Sequence, residues 1–292
     1  MFYLSEGNNE MNPNVSDLTR EKAEANNAPP GWKEHNGKTD MLEGIKAYHV
    51  WLIWGWHDIR QRYRRSVLGP FWFTLTTLIM VGALGFLYSE LLGQEISTYL
   101  PYLGVGLVVW QFISTAANEG CTCLIGSVHI IKQIRMPLTT HVCRMAWRNF
   151  IILLHSLPVV IIFMFFFGHM LTWEIIWVIP GLLIVLLNAV WSGIVFGILC
   201  SRFRDVAPII GSLFQVCFFV TPVMWQTSAL KERGWIADFN PFYHLIEIVR
   251  APILGTPVPF ISWASSIALL VVGFAFAQYL MNRYRDRVAY WL

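Results

Sequence analysis

The sequence predicts an all-α membrane protein with six transmembrane helices, an N-terminal amphipathic interface helix ahead of them, and re-entrant helices between spans five and six. Three observations support that prediction. Of the 292 residues, 55% are hydrophobic and only 13% charged, with a mean hydropathy of +0.51. Soluble domains are roughly a quarter charged, so a single soluble core is excluded. Apolar stretches of the roughly 20 residues that a bilayer demands recur along the chain. Lysine and arginine collect in alternate connections, as they do in the cytoplasmic loops of membrane proteins.

Residues 1–44 read as a disordered cytoplasmic tail, rich in Asn, Glu, Pro and Lys (Asn8, Asn9, Asn12, Asn14, Asn26, Asn27, Pro29, Pro30) and almost without apolar periodicity. The charged start, apolar middle and small-residue cleavage site of a signal peptide are missing, so the chain is expected to enter the membrane through its own first span. Gly37-Lys38-Thr39 invites comparison with a phosphate-cradling loop, but that loop needs a glycine five places earlier, where Trp32 stands, and a strand before it.

Residues 45–69 are read as the interface helix and its turn. From Tyr48 to Arg65, the residues Val50, Trp51, Trp54, Ile59 and Tyr63 interleave with Arg60, Arg62, Arg64 and Arg65, the pattern of a helix lying in the membrane interface. Such a helix can be a plain anchor. Four arginines within six residues at headgroup level are equally suited to holding a diphosphate, because guanidinium forks match phosphate oxygens. Gly69 and Pro70 then break the helix and turn the chain into the first span.

Residues 70–292 hold the expected spans: Phe71 to Leu92, Tyr99 to Ala117, Phe150 to Leu171, Ile175 to Leu199, Pro208 to Trp225 and Ile261 to Met281. On one side of them fall Lys46, Arg60, Arg62, Arg64, Arg65, Lys132, Arg135, Arg144, Arg148, Arg202, Arg204, Arg283, Arg285 and Arg287. The other side has only Lys231, Arg233 and Arg250. The basic side is the cytoplasmic one, which puts both termini there. The formal charge of +3 is thus a matter of topology, and no nucleic-acid partner is needed to explain it.

The spans carry no Lys, Arg or Asp in their middles, and only His155, Glu90 and His169 come near. An ion pump or proton-coupled carrier would need buried ionisable groups there, so the energy source is expected on another subunit. The five cysteines read as reduced packing thiols, since Cys121-x-Cys123 lacks the second pair of a zinc site. Neither a Gly-x-Ser-x-Gly elbow nor a His-Glu-x-x-His pair occurs. No catalytic residue, metal ligand or cofactor is therefore assigned to this chain.

The connection from Gln226 to Phe260 is too apolar for a free loop and too broken for a span. Asn240-Pro241 reads as a helix cap followed by Pro at the first helical position. Phe242, Leu245, Ile246, Val249 and Ile253 share a face before Gly255 and Pro257 end the helix. A short helix dipping partway into the membrane from outside fits, provided that protein or a water cavity covers its backbone. Two cytoplasmic loops, Val128 to Pro137 and Ser201 to Val206, mix charge with apolar residues as a docking surface does.

The run Arg62-Tyr-Arg-Arg-Ser-Val-Leu-Gly-Pro-Phe-Trp72 resembles the entry motif of the membrane subunits of ABC-2 type polysaccharide exporters, and the resemblance continues through essentially the whole membrane region. It implies that residues 70–292 are a six-span ABC-2 type transmembrane domain of a bacterial inner-membrane permease. The permease would pair with a second copy of itself and with two ATP-binding cassette subunits that hold the ATP and magnesium. Its cargo would be a lipid-linked polysaccharide, with O-antigen on undecaprenyl diphosphate the first choice.

By the same resemblance, the headgroup is received by Arg60, Arg62, Arg64 and Arg65. Coupling to the ATPase falls to Lys132, Arg135, Met136, Arg204 and Asp205, and the outer gate to Asn240, Pro241 and Phe242. A channel along the first, second and fifth spans would draw on Trp72, Phe73, Phe86, Tyr88, Tyr102, Trp110, Phe112, Phe214, Phe218 and Phe219, whose rings can stack on sugars. An ABC-2 exporter of small hydrophobic molecules and a membrane-integral enzyme of glycan assembly are the alternatives. The first would have little use for an arginine-rich entry helix, and the second would have no need of an ATPase.

Overall fold

A computed structural model describes residues 37–64, 69, 71–134, 136–227 and 235–292. The tail residues 1–36, most of the turn after the interface helix, Arg65 and Arg135 lie outside the described residues. Every regular element among the described residues is helical: α1 (Gly37–Lys46), α2 (Tyr48–Arg62), α3 (Phe71–Leu92), α4 (Ile96–Cys123), α5 (Val128–Gln133), α6 (Leu138–Phe166), α7 (Val178–Arg202), α8 (Val206–Val220), α9 (Trp235–Asp238), α10 (Pro241–Ile253) and α11 (Phe260–Trp291). Short 3-10 turns precede α5 and α7.

Five helices are long and apolar enough to cross a membrane: α3, α4, α6, α7 with the turn before it, and α11. The expected sixth is shorter than predicted. Helix α8 has 15 residues, about 22 Å at 1.5 Å per residue, against a hydrocarbon core of roughly 30 Å. It stops at Val220 because Pro222 follows: a residue before proline is driven out of the helical region, and Thr221 is extended at φ −83° and ψ 138°. The predicted span to Trp225 ran through this break.

Helix α4 is the hub and mostly buried, whereas α3 is mostly exposed, its buried residues being Val81, Gly85 and Ser89. Close approach of α4 to α7 depends on small residues, as in many membrane helix pairs. A Cβ on Gly120 would stand 3.0 Å from the Cα of Gly193, and one on Gly193 would stand 2.7 Å from Val142 Cγ1 of α6. Three helices therefore meet at two glycines.

Proline inside α4 also has a partner. Pro101 has no N–H to offer the carbonyl of Ser97 four residues back, and His169 Nε2, from the connection after α6, donates to that carbonyl at 3.0 Å. His169 therefore acts as a hydrogen-bonded packing residue, the commoner role of a lone histidine at such a place. His155 likewise turns to its own helix, 2.8 Å from the Ile151 carbonyl.

Part of the expected tail is folded. Residues 37–44 lie in α1, whose Asp40 is fully buried. Asp40 accepts from the backbone N–H groups of Leu138 and Thr139 at 3.1 and 3.2 Å, from Thr139 Oγ1 at 3.0 Å, and from Arg285 Nε at 2.8 Å. One carboxylate thus caps the start of α6 and ties it to the far end of α11. A polar decapeptide is helical here because its acid satisfies donors that α6 leaves unpaired.

These contacts sort the chain by end. Helix α5, the Phe203–Asp205 turn, α1 and the C-terminal end of α11 lie at the end of the bundle where α6 starts and where the basic residues collect. The connections after α3 and α6 and the Thr221–Trp225 turn gather at the opposite end.

Candidate functional site

Helix α2 leaves the bundle's basic end and crosses α6 closely, since a Cβ on Gly55 would stand 2.8 Å from Trp147 Cδ1. Its sides are less sharply divided than the expected amphipathic pattern. Tyr48, Ile53 and Trp56 are exposed alongside Arg60, while only Gly55 and Ile59 are buried. At its end Tyr63 meets Phe73 of α3 edge to face at 5.1 Å.

Between α2, α5 and α6 lies a cavity of about 1010 Å³, lined by Trp54, Trp56, His57, Asp58, Arg60, Gln61, Tyr63, Arg64, Ile130 and Arg144 among others. Two of the four expected headgroup arginines, Arg60 and Arg64, therefore line one space. Arg62 lies 3.8 Å from Glu119 and is not among the lining residues. Arg65 is outside the described residues.

Behind the cavity runs a chain of charges spanning three helices. Asp58 of α2 accepts from Arg144 Nε at 2.7 Å, from Arg144 Nη2, and from Arg148 Nη1 at 3.1 Å. Arg148 Nη2 and Asn149 Nδ2 both donate to Glu119 Oε2 of α4, at 2.6 and 2.7 Å. Arg144 also lies 5.4 Å from the Trp54 ring centre, within cation–π range. Burial pushes the Asp58 carboxyl up, but the hydrogen bond and charge of Arg144, joined by those of Arg148, outweigh it and hold the group below its usual range.

Composition and motif reading missed Asp58, Glu119, Arg144 and Arg148 as a set. A signal was present. Arg144 and Arg148 are four apart, so they share a face of α6, and Glu119 is the one charged residue of α4. Asp58, four before Arg62, could have been read as an i,i+4 partner of its own helix. It reaches across to α6 instead.

The expected coupling residues lie at the same end of the bundle. Lys132 lies in the last turn of α5 and is exposed, Met136 is half-buried, and Arg204 and Asp205 are exposed in the turn from α7 to α8. Ile134 and Phe203 beside them are also exposed, at 52% each. Arg202 stacks over Phe203 and over Trp291 of α11, 5.1 and 5.2 Å from the ring centres.

The expected channel aromatics divide into three sets by burial. Trp110 of α4 meets Phe214, Phe218 and Phe242 at centroid distances of 6.2, 5.8 and 5.6 Å, and Phe112 packs on Phe150. Within this one chain Trp110, Phe112 and Phe214 are buried. Trp72, Phe86 and Phe219 are exposed, and Phe73, Tyr88, Tyr102 and Phe218 are half-buried.

At the opposite end, Asn240 caps α10 as its sequence predicts: its side-chain oxygen accepts from the Phe242 N–H at 3.0 Å, with Pro241 at the first helical position. Its Nδ2 donates to Thr221 Oγ1 at 2.9 Å. Arg250, only 1% exposed, donates to Glu247 at 2.6 and 3.0 Å and to the Pro222 carbonyl at 2.8 Å. Its guanidinium lies 4.0 Å from the Tyr102 ring centre. Tyr99 and Tyr102 donate to the carbonyls of Met224 and Trp225, at 2.6 and 3.2 Å. These bonds close α4, α10 and the Thr221–Trp225 turn over a cavity of about 200 Å³.

Among the described residues no group of three or more His, Cys, Asp or Glu side chains is placed to hold a metal ion. The family described as ABC-2 type transporter matches residues 49–254. The chain is similar to two proteins named O-antigen export system permease protein RfbA from Klebsiella pneumoniae, each 24% identical over 237 residues, covering 78% of this chain and 91% of the relative. A protein of the same name from Myxococcus xanthus is 25% identical over 200 residues, 66% of this chain and 76% of its own length.

Proposed function

This chain belongs to the ABC-2 type transporter family, and from that premise we propose that it is the permease subunit of an O-antigen export system, moving a polysaccharide carried on undecaprenyl diphosphate across the bacterial inner membrane. Two copies enclose the channel, and two ATP-binding cassette subunits dock on α5 and on the turn after α7. ATP is bound and hydrolysed on those partners; this chain makes and breaks no covalent bond. The names of its relatives support the cargo. The single observation that bears most on mechanism is the cavity of about 1010 Å³ with Arg60 and Arg64 at its wall.

A diphosphate needs several fixed donors in a partly desolvated place. Arg60 of α2 and Arg64 just beyond its end supply exposed guanidinium donors at the wall, while Trp54, Trp56 and Tyr63 supply flat apolar walls. Once the headgroup is held, the glycan passes outward beside aromatic rings that tolerate many sugars. Asn240, Pro241 and Phe242 then belong to the outer gate, braced by the Arg250 cluster.

The test is a pair of conservative changes. If the arginines only attract anionic lipid, each contributes about 1 kcal/mol of surface attraction that lysine would match. If one grips a diphosphate with its fork, lysine cannot replace it. Arg60→Lys and Arg64→Lys, in stably inserted protein, are expected to cut export of the lipid-linked polymer sharply in at least one case. Wild-type export from both, and from Arg62→Lys and Arg65→Lys as well, leaves α2 as an anchor.

A further inference from the structure

The wall of the cavity contains a carboxylate. Asp58 lines the same space as Arg60 and Arg64, where it would repel a phosphate unless its own charge were compensated. Arg144 compensates it with two hydrogen bonds and is itself exposed to the cavity. Arg148 adds a third bond from behind, and its Nε is buried with no acceptor.

From this arrangement we infer that Arg144 is a shared ligand, bound to Asp58 in the structure and passed to the phosphate of an incoming lipid diphosphate, with Arg148 retaining Asp58. The inference rests on the headgroup reading of this cavity and deepens it. Arg144 is placed for the exchange because it lines the cavity, 5.4 Å from the Trp54 ring centre, while bonded to Asp58. Arg148 cannot play that part, since it is committed to Glu119 at 2.6 Å and does not line the cavity. Its Nη1 already donates to Asp58 at 3.1 Å, so the exchange leaves no buried carboxylate without a partner. The exchange also loosens α2 from α6 beside Ile130 of α5, which lines the same space.

The exchange predicts a direction that a purely structural ion pair does not. Asp58 competes with the ligand, so removing its charge should strengthen binding, whereas loss of a structural contact would weaken it. We would measure binding of farnesyl diphosphate to the full-length permease, co-purified with its ATPase partner, in lipid nanodiscs. Asp58→Asn is expected to bind about tenfold more tightly and Arg144→Gln about tenfold more weakly, the size of one charge-assisted hydrogen bond. Unchanged or weaker binding by inserted, folded Asp58→Asn overturns the inference, and so does unchanged binding by Arg144→Gln. Should Asp58→Asn fail to insert, Arg144→Gln decides alone, because Asp58 keeps Arg148 in that variant. Arg60→Gln and Arg64→Gln separate the two levels. Weaker binding by these with Asp58→Asn and Arg144→Gln both silent removes the exchange and keeps the headgroup site. No measurable binding by the wild-type protein removes both.

Discussion

At the residue scale, buried and half-buried charges fall into three groups: Asp58 and Glu119 with Arg144 and Arg148, Glu247 with Arg250, and Asp40 with Arg285. Buried charges persist only where partners satisfy them, and breaking one side of such a pair costs more than the pair contributes. Arg250 is the clearest case. Arg250→Met strands Glu247 and the Pro222 carbonyl and is expected to destabilise the protein by about 3 kcal/mol, read as a lower midpoint in detergent denaturation. Adding Glu247→Gln should recover part of that loss. At the other end, Asp58 has a carboxyl held below its usual range by Arg144 and Arg148 against the opposing effect of burial. A depressed carboxylate contributes stability above its unfolded value, roughly pH 4, and loses it as pH falls through the lower native value. Attachment of α2 should therefore be constant from neutral pH to about 4 and weaken below it. Hydrogen exchange in α2 against pH measures this, and Asp58→Asn should abolish the step. None of these partners could be assigned from spacing alone, because Asp58, Glu119, Arg144 and Arg148 come from three helices.

At the element scale, the long apolar segments were legible, while a short apolar helix ended by a proline and a polar one were not. Helix α3 has the predicted bounds, Phe71–Leu92, because its apolar run ends at Gly93, in the left-handed region at φ 62°. Helix α8 ends early because Pro222 acts on Thr221, a local rule that an apolar window averages away. Helix α1 was hidden by its polar composition; its order comes from capping α6, a contact made 98 residues away. Helix packing offers a test. Gly193→Leu puts a side chain where Val142 and Met145 already stand, and overpacking of this kind costs about 1–3 kcal/mol, so lower folded yield and a lower denaturation midpoint are expected. The proposed coupling loop offers another. Arg135→Glu reverses the charge at one proposed docking residue and is expected to lower partner-stimulated ATP turnover and polymer export while membrane insertion stays normal; unchanged stimulation removes that loop from the proposed mechanism.

At the scale of the whole molecule, the placement of charge is expected to set orientation. Cysteines introduced singly at Gln94 and at Ser127, in a background without the native five, should be labelled by a membrane-impermeant reagent from opposite sides, Gln94 from the outside and Ser127 only after the membrane is opened. Labelling from one side for both would refute the topology. Helix α11, with 32 residues, is about 48 Å long and so runs past a hydrocarbon core of roughly 30 Å, bringing Arg285 to Asp40. The sequence by itself determined that the chain is helical, that it spans a membrane several times, which end is basic, where α10 is capped, and which family its entry motif resembles. Those properties depend on composition and on residues within a turn or two of each other. Only the tertiary structure decided that five helices are long enough to cross, that residues 37–44 are folded, and that Arg60 and Arg64 share a cavity with Asp58 and Arg144 while Arg62 turns to Glu119. The physical reason is the same in each case: partners far apart in the chain satisfy buried polar groups, and no local pattern records which of several equivalent charges the fold brings together.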